Sequence, residues 1–169
     1  MDEYQKVNPM AQVPALDMGD GKIITQSLAI MEFLDEVYPD GQQLLPKEAF
    51  EKAKVREISE IINAGTQPLQ NLSVITHHSS DPEERKIWSQ FWISKGLRVV
   101  EKLLGQSSGK YCVGDEITMA DCCLVPQIYN ANRFAVDMSQ FPNINRILKA
   151  LEVEKAFIAA HPDNQPDKP

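Results

Sequence analysis

The stretch Gln12-Val13-Pro14-Ala15-Leu16-Asp17-Met18-Gly19-Asp20-Gly21-Lys22-Ile23-Ile24-Thr25-Gln26-Ser27-Leu28-Ala29-Ile30 decides how this chain is read. Residues 15–18 and 22–25 are short apolar runs joined by Gly19-Asp20-Gly21. They are predicted to be the strands of a hairpin, with glycine supplying the positive φ angles that such a turn needs. After Ser27, the residues Ile30, Phe33, Leu34 and Val37 recur at helical spacing, and Tyr38-Pro39-Asp40-Gly41 ends the helix. A helix N-terminus presents unpaired N–H groups and a partial positive charge, so it can hold a carboxylate or phosphate. Gln26 and Ser27 add an amide and a hydroxyl at that point. A cis Val13–Pro14 peptide would turn the Val13 backbone toward an extended ligand. On spacing alone, an ordinary hairpin and a capped helix account for the same residues.

Working outward, residues 41–46 read as a linker punctuated by glycine and proline, and a domain boundary is expected there. Residues 47–76 follow a helical pattern carried by Phe50, Ala53, Ile58, Ile61 and Ile62. Gly65 and Pro68 inside it predict a kink near residues 64–68, which either lines a cleft or follows the core. Asp81 reads as an N-cap, Pro82 as the first helical residue and Glu84 as the end of a capping box. Trp88, Phe91, Trp92, Val99, Val100, Leu103 and Leu104 then form a stripe expected in the core, with Gly105 as the helix end.

Thr118 and Asp121 form a second capping box, with Asp in place of Glu, and Ile117 and Cys122 are placed for a hydrophobic staple. The helix that follows is apolar nearly all round, as in a helix buried among others, and Pro126 should bend it. Arg133 at its polar end either caps the helix C-terminus or clamps a carboxylate through two parallel bonds. Phe141-Pro142 opens another helix with Ile147, Leu148 and Leu151 on one face. Residues 152–159 continue it or add a short one. The tail at 161–169 has three prolines and no apolar anchor, and is predicted to be disordered.

Of the 169 residues, 43% are hydrophobic and 24% charged, which suits a globular fold. The formal net charge of −7 argues against non-specific nucleic-acid binding, while a local pocket can still take a small anion. No apolar run approaches the roughly 18 residues of a membrane span. Cys112, Cys122 and Cys123 form no C-x-x-C pair, so neither a disulfide framework nor a zinc site is expected. They read as buried thiols in a reducing compartment. His77, His78 and His161 lack metal-ligand spacing to a third partner.

Asn8-Pro9, Gln12-Val13-Pro14 and Gln26-Ser27-Leu28-Ala29-Ile30 resemble the second half of a glutathione transferase N-terminal domain. Gly65-Thr66-Gln67-Pro68-Leu69-Gln70-Asn71-Leu72-Ser73 is similar to the zeta class, the maleylacetoacetate isomerases. So are Tyr111-Cys112-Val113-Gly114-Asp115-Glu116-Ile117-Thr118-Met119-Ala120-Asp121 and Leu124-Val125-Pro126-Gln127. The resemblance implies an α+β fold. A truncated thioredoxin-like N-terminal part, β-hairpin plus helix, occupies residues 1–45. An all-α glutathione transferase C-terminal domain occupies residues 46–169.

The resemblance also implies glutathione as cofactor, bound by Val13, Gln26, Ser27, Gln67, Asn71, Leu72 and Ser73, and a substrate carboxylate bound by Arg133. The implied reaction is the cis–trans isomerisation of maleylacetoacetate to fumarylacetoacetate through a glutathione thiolate, with α-halo acids as further substrates. A cytoplasmic homodimer with no nucleic-acid or membrane partner goes with it, mitochondrial if a leader was lost. The family's thiol-activating Ser-Ser-Cys-x-Trp-Arg motif matches nothing in residues 1–6, so no catalytic residue is expected in this chain. That difference suggests a fragment or an alternative start, and it leaves a non-catalytic interaction module as the alternative function. A hairpin and one helix are marginal as a core. The expectation is therefore a firm helical C-terminal domain and a loose N-terminal part.

Overall fold

The computed structural model describes residues 2–166 and separates into two compact units, Met1–Leu45 and Pro46–Pro169. In the first, helix α1 (Asp2–Val7) leads through a loop to strands β1 (Ala15–Asp17) and β2 (Ile23–Thr25). The strands pair antiparallel in the register Ala15↔Thr25, Leu16↔Ile24, Asp17↔Ile23. Gly19 and Gly21 sit at φ 80° and 81°, the left-handed region that the sequence assigned to glycine in this turn. Asp17 and Asp20 side chains accept the Gly19 and Lys22 N–H groups at 2.8 and 3.2 Å and complete the turn.

Helix α2 (Ser27–Val37) follows directly. Its Asp35 carboxylate accepts the Leu44 and Leu45 N–H groups, which folds the chain back after Gly41. The described part of this unit buries no apolar side chain; the apolar core starts at Val55.

The second unit is all helical. It contains α3 (Ala49–Asn63), α4 (Leu72–His78), α5 (Pro82–Ser107), α6 (Met119–Arg133), α7 (Pro142–Leu151) and α8 (Lys155–Ala160). The core is a layer of Val55, Ile58 and Ile62 from α3, Ile93, Leu97 and Leu104 from α5, Leu124 and Ile128 from α6, and Ile144, Ile147 and Leu151 from α7. The Glu101 carboxylate of α5 accepts the Asn143 and Ile144 N–H groups at 2.9 and 3.0 Å and so caps α7.

Several sequence expectations are corrected here. The kinked helix over residues 47–76 is two helices, α3 and α4, separated by a 3₁₀ turn at Gln67–Gln70. Thr66 bonds its hydroxyl to the Ile61 carbonyl at 2.8 Å, Pro68 starts the turn, and Asn71 adopts extended backbone and caps α4. These local bonds replace the helical ladder that proline interrupts. Phe50 and Ala53 lie on the exposed side of α3, whose buried face is Val55, Ile58, Ser59 and Ile62.

On α5 the predicted stripe is only partly the core: Val100 and Leu104 are buried, Trp88, Trp92 and Leu103 half-buried, and Phe91 and Val99 exposed. The inward row is Ser89, Ile93, Leu97, Val100 and Leu104, whereas Phe91 is 57% exposed. Asp81 caps α5 through Glu83 N–H at 2.9 Å, but Glu84 accepts the Ser79 hydroxyl instead of closing a capping box. The helix passes Gly105 and ends at Ser107. Helix α6 is buried on one face only, with Pro126 and Tyr129 exposed. On α7, Leu148 is half-buried and Ile144 takes its place in the core.

Where disorder was predicted, Pro162–Asn164 form a 3₁₀ turn. Asn164 and Gln165 side-chain amides donate to the Ile158 and Ala159 carbonyls, both at 2.8 Å. Polar side chains rather than apolar anchors build that turn, so hydropathy carried no sign of it. Residues 167–169 of the predicted tail lie outside the described residues.

Candidate functional site

In the first unit the hairpin carries the candidate residues to one end. Because Ala15 pairs with Thr25, Val13 and Ser27 are the next-but-one residues on opposite sides of the same ladder. The Val13–Pro14 peptide is cis and Val13 is 83% exposed. Among the described residues nothing bonds the Val13 N–H or C=O. An extended ligand can therefore pair with that backbone as an added strand does.

Gln26, the N-cap of α2, stands at φ 77° and ψ 123°, a conformation that costs of order 1 kcal/mol or more for a residue other than glycine. Its carbonyl accepts the Ile30 N–H at 3.0 Å, so the first helical bond forms, yet no side chain caps the helix and its first turn holds no acidic residue. Among the described residues no partner is bonded to the Ser27, Leu28 and Ala29 N–H groups, which stand at the positive end of the α2 dipole beside the Ser27 hydroxyl. That arrangement suits a carboxylate.

Sequence reasoning used Asn8 only as part of a motif. The structure shows what it does. Asn8 is 2% exposed; its side-chain amide donates to the Gln12 carbonyl and its side-chain oxygen accepts the Met10 N–H at 3.1 Å. The Tyr4 hydroxyl donates to the same Gln12 carbonyl at 2.9 Å. Together they fix the loop that delivers Val13, in which Ala11 stands at φ 53°. The signal in the sequence was an Asn before a Pro at the end of a short helix, a residue suited to bonding its own backbone.

In the second unit Gln67, Asn71, Leu72 and Ser73 come together on the 3₁₀ turn and the first turn of α4. Asn71 Oδ1 accepts the Ser73 N–H at 3.1 Å and the Ser73 hydroxyl at 2.8 Å, and Gln67, Leu72 and Ser73 are exposed. The turn is held from behind. The Trp88 indole N–H donates to the Leu69 carbonyl at 2.7 Å, and buried Thr66 packs on Gly96 of α5.

Arg133 is the last residue of α6 and is exposed, its guanidinium 6.0 Å from the Phe134 ring. No carboxylate of the described residues pairs with it, so its fork is open to a ligand. The structure does not place Arg133 on the turn with Gln67 and Ser73; it belongs to a separate helix.

The thiols are shielded. Burial pushes the Cys112 thiol well up, Cys122 up to about 12 and Cys123 up to about 11. A raised thiol pKa keeps the group protonated and poorly nucleophilic at neutral pH. Iodoacetamide at pH 8 is therefore expected to leave all three unmodified in the folded chain and to label them in urea. Rapid stoichiometric labelling without urea would contradict that shielding. Among the described residues no three His, Cys, Asp or Glu side chains are grouped to hold a metal. No helix among them is long and apolar enough to cross a membrane.

Residues 1–37 match the glutathione S-transferase N-terminal domain, and residues 70–160 the glutathione S-transferase C-terminal domain. A probable maleylacetoacetate isomerase 2 of Drosophila melanogaster is 56% identical over 99% of this chain and 72% of its own length. The holo structure of a maleyl pyruvate isomerase, described as a bacterial glutathione S-transferase of the zeta class, is similar with a TM-score of 0.94 and 36% identity, over 100% of this chain and 82% of that one. A maleylacetoacetate isomerase of Anaeromyxobacter dehalogenans with glutathione bound in its active site is similar with a TM-score of 0.89 and 39% identity, over 99% of this chain and 81% of that one.

Proposed function

The chain belongs to the glutathione S-transferase family, with the maleylacetoacetate isomerases of the zeta class, and from that membership we propose that it serves the glutathione-dependent cis–trans isomerisation of maleylacetoacetate. The observation that carries this reading is the N-terminus of α2, where three unpaired N–H groups, the Ser27 hydroxyl and the Gln26 amide stand at one end of the hairpin that bears Val13. These groups fit glutathione. The N–H groups and Ser27 take its γ-glutamyl carboxylate, and the Val13 backbone pairs with its peptide. In the second unit, Gln67, Asn71, Leu72 and Ser73 are assigned to glutathione, and Arg133 to a substrate carboxylate through two parallel bonds.

Glutathione, when bound, would supply a thiolate nucleophile for reversible addition at the cis double bond. The residues of this chain do the binding and orientation. The Ser27 hydroxyl donates to the carboxylate and the α2 dipole offsets its charge, which fixes one end of the tripeptide. The Arg133 guanidinium fixes the substrate by its carboxylate, which leaves the double bond free to turn. Relatives matching along nearly the whole chain are isomerases, which favours this reading over a non-catalytic interaction module. Ile87, Phe91 and Val99 are exposed on α5 in a row that Lys95 interrupts, and we assign a homodimer to the chain from its family membership. Three free cysteines suit the cytoplasm.

Calorimetric titration of glutathione into the 169-residue chain tests the reading. Ser27→Ala should weaken binding about tenfold or more, the usual scale for a hydrogen bond to a charged group. Equal affinity of Ser27→Ala and the parent chain would rule out Ser27 as the carboxylate ligand.

A further inference from the structure

Gln70 closes the 3₁₀ turn and Gln127 lies midway along α6, and both are buried, at 4% and 3% exposure. Gln70 Nε2 donates to Gln127 Oε1 across 57 residues of sequence. We propose that these two are positioning residues: their buried amide pair sets the register of the 3₁₀ turn, which packs on α5, relative to α6, the helix that ends in Arg133.

Stability does not explain the pair. Only one of its two possible amide bonds is made. Gln70 Oε1, an acceptor, and Gln127 Nε2, a donor, are buried with no partner among the described residues. Replacing both members of a buried amide pair by apolar side chains of the same shape is close to neutral for stability. What the pair provides is direction. Leucines on a turn and a helix can slide past one another with little change in energy, whereas an N–H···O bond in a low-dielectric core holds one register. The segment it holds needs a register. It has left the helical ladder; the Trp88 bond to Leu69 and the packing of the turn on α5 hold it on one side, Thr76 of α4 bonds the Leu72 and Ser73 carbonyls, and the Gln70–Gln127 bond is its one described side-chain hydrogen bond to α6. The neighbouring residue, Asn71, starts the run assigned to glutathione.

The test is the double variant Gln70→Leu/Gln127→Leu, with Gln70→Met/Gln127→Met as a second pair closer in shape. Backbone amide exchange and thermal melting are measured on the full chain. In both variants melting should stay at or above that of the parent chain. Exchange within residues 67–73 should rise about tenfold, while the amides of α7 change by less than about twofold. Unchanged exchange at 67–73 would overturn the proposal. So would a rise spread over α5, α6 and α7 together with lower melting, because the pair would then be a core stabiliser.

Only the consequence for glutathione rests on the binding reading above. Affinity should fall in the variants as the 67–73 exchange rises. If glutathione binds neither variant nor parent, the function fails and the positioning result stands. If the parent binds and exchange does not move, the positioning fails alone.

Discussion

Replacing Asp121 with alanine should lower the stability of the second unit by about 3 kcal/mol or more, since each buried donor left without a partner costs about 1–3 kcal/mol. Asp121 is fully buried. Its Oδ2 accepts the Thr118 N–H and the Thr118 hydroxyl, both at 2.8 Å, and its Oδ1 accepts the Cys112 N–H at 3.0 Å. Losing the carboxylate leaves three donors buried, and two of them hold together the loop before α6 and the start of that helix. Thr118→Ala removes only one donor and its cap, so it should cost about 1–2 kcal/mol. Because the two residues share these bonds, the double variant should cost less than the sum of the singles. Urea denaturation of the four chains measures this cycle. A loss below about 1 kcal/mol for Asp121→Ala would show that water reaches the freed donors and that the network is not closed.

This network was legible in the sequence because its parts are local. Thr118 and Asp121 stand three apart at a helix start, and Asp81-Pro82 and the Gly19-Asp20-Gly21 turn are likewise set by near neighbours. The contact from Asp121 to Cys112 was not legible, since it spans a loop whose path the sequence does not state.

Apolar periodicity misplaced the face of α5. Trp88, Phe91 and Trp92 are the larger side chains, yet the row that turns inward is Ser89, Ile93, Leu97, Val100 and Leu104, on a helix that packs against α3. In the structure Trp92 meets the Phe91 ring edge-on at 5.2 Å and carries the Lys95 ammonium at 4.6 Å, Phe91 is exposed, and half-buried Trp88 bonds the Leu69 carbonyl. The break between α3 and α4 was marked by Gly65 and Pro68, but its extent was not. It depends on Thr66 and Asn71 bonding their own surroundings.

Of the candidate site, residue identities were legible through resemblance, and the helix N-terminus through the apolar spacing that begins after Ser27. Asn8, Gln70 and Gln127 were not. Their roles lie in bonds to partners that no local pattern announces, across 57 residues in the case of the two glutamines. The first unit is legible in another sense. Its short strands and single amphipathic helix offer too little apolar surface to bury, and in the structure none of its described apolar side chains is buried.

The second large effect is expected at Gly96. In an isolated helix, alanine in place of glycine is favourable by about 1 kcal/mol. At this position it should instead destabilise by about 2–3 kcal/mol, the scale of overpacking a well-filled core. A Cβ at Gly96 would stand 2.0 Å from Thr66 Oγ1, 2.9 Å from its Cγ2 and 3.0 Å from its Cβ. Rotating Thr66 moves the first two atoms and not the third, and its hydroxyl is already bonded to the Ile61 carbonyl. Helix α5 or the backbone at residue 66 must therefore shift.

Residue 66 directly precedes Gln67, so the shift passes into segment 67–73. Gly96→Ala should weaken glutathione binding as well as stability, although residue 96 lies away from every assigned ligand contact. Thr66→Ala removes the two mobile atoms. In the double variant with Gly96→Ala it should recover more than half of the lost stability, a coupling of at least about 1 kcal/mol. Urea midpoints for the parent, both singles and the double decide the matter. If Gly96→Ala proves more stable than the parent, α5 has room at this point, and the close approach of Thr66 is not what fixes the turn.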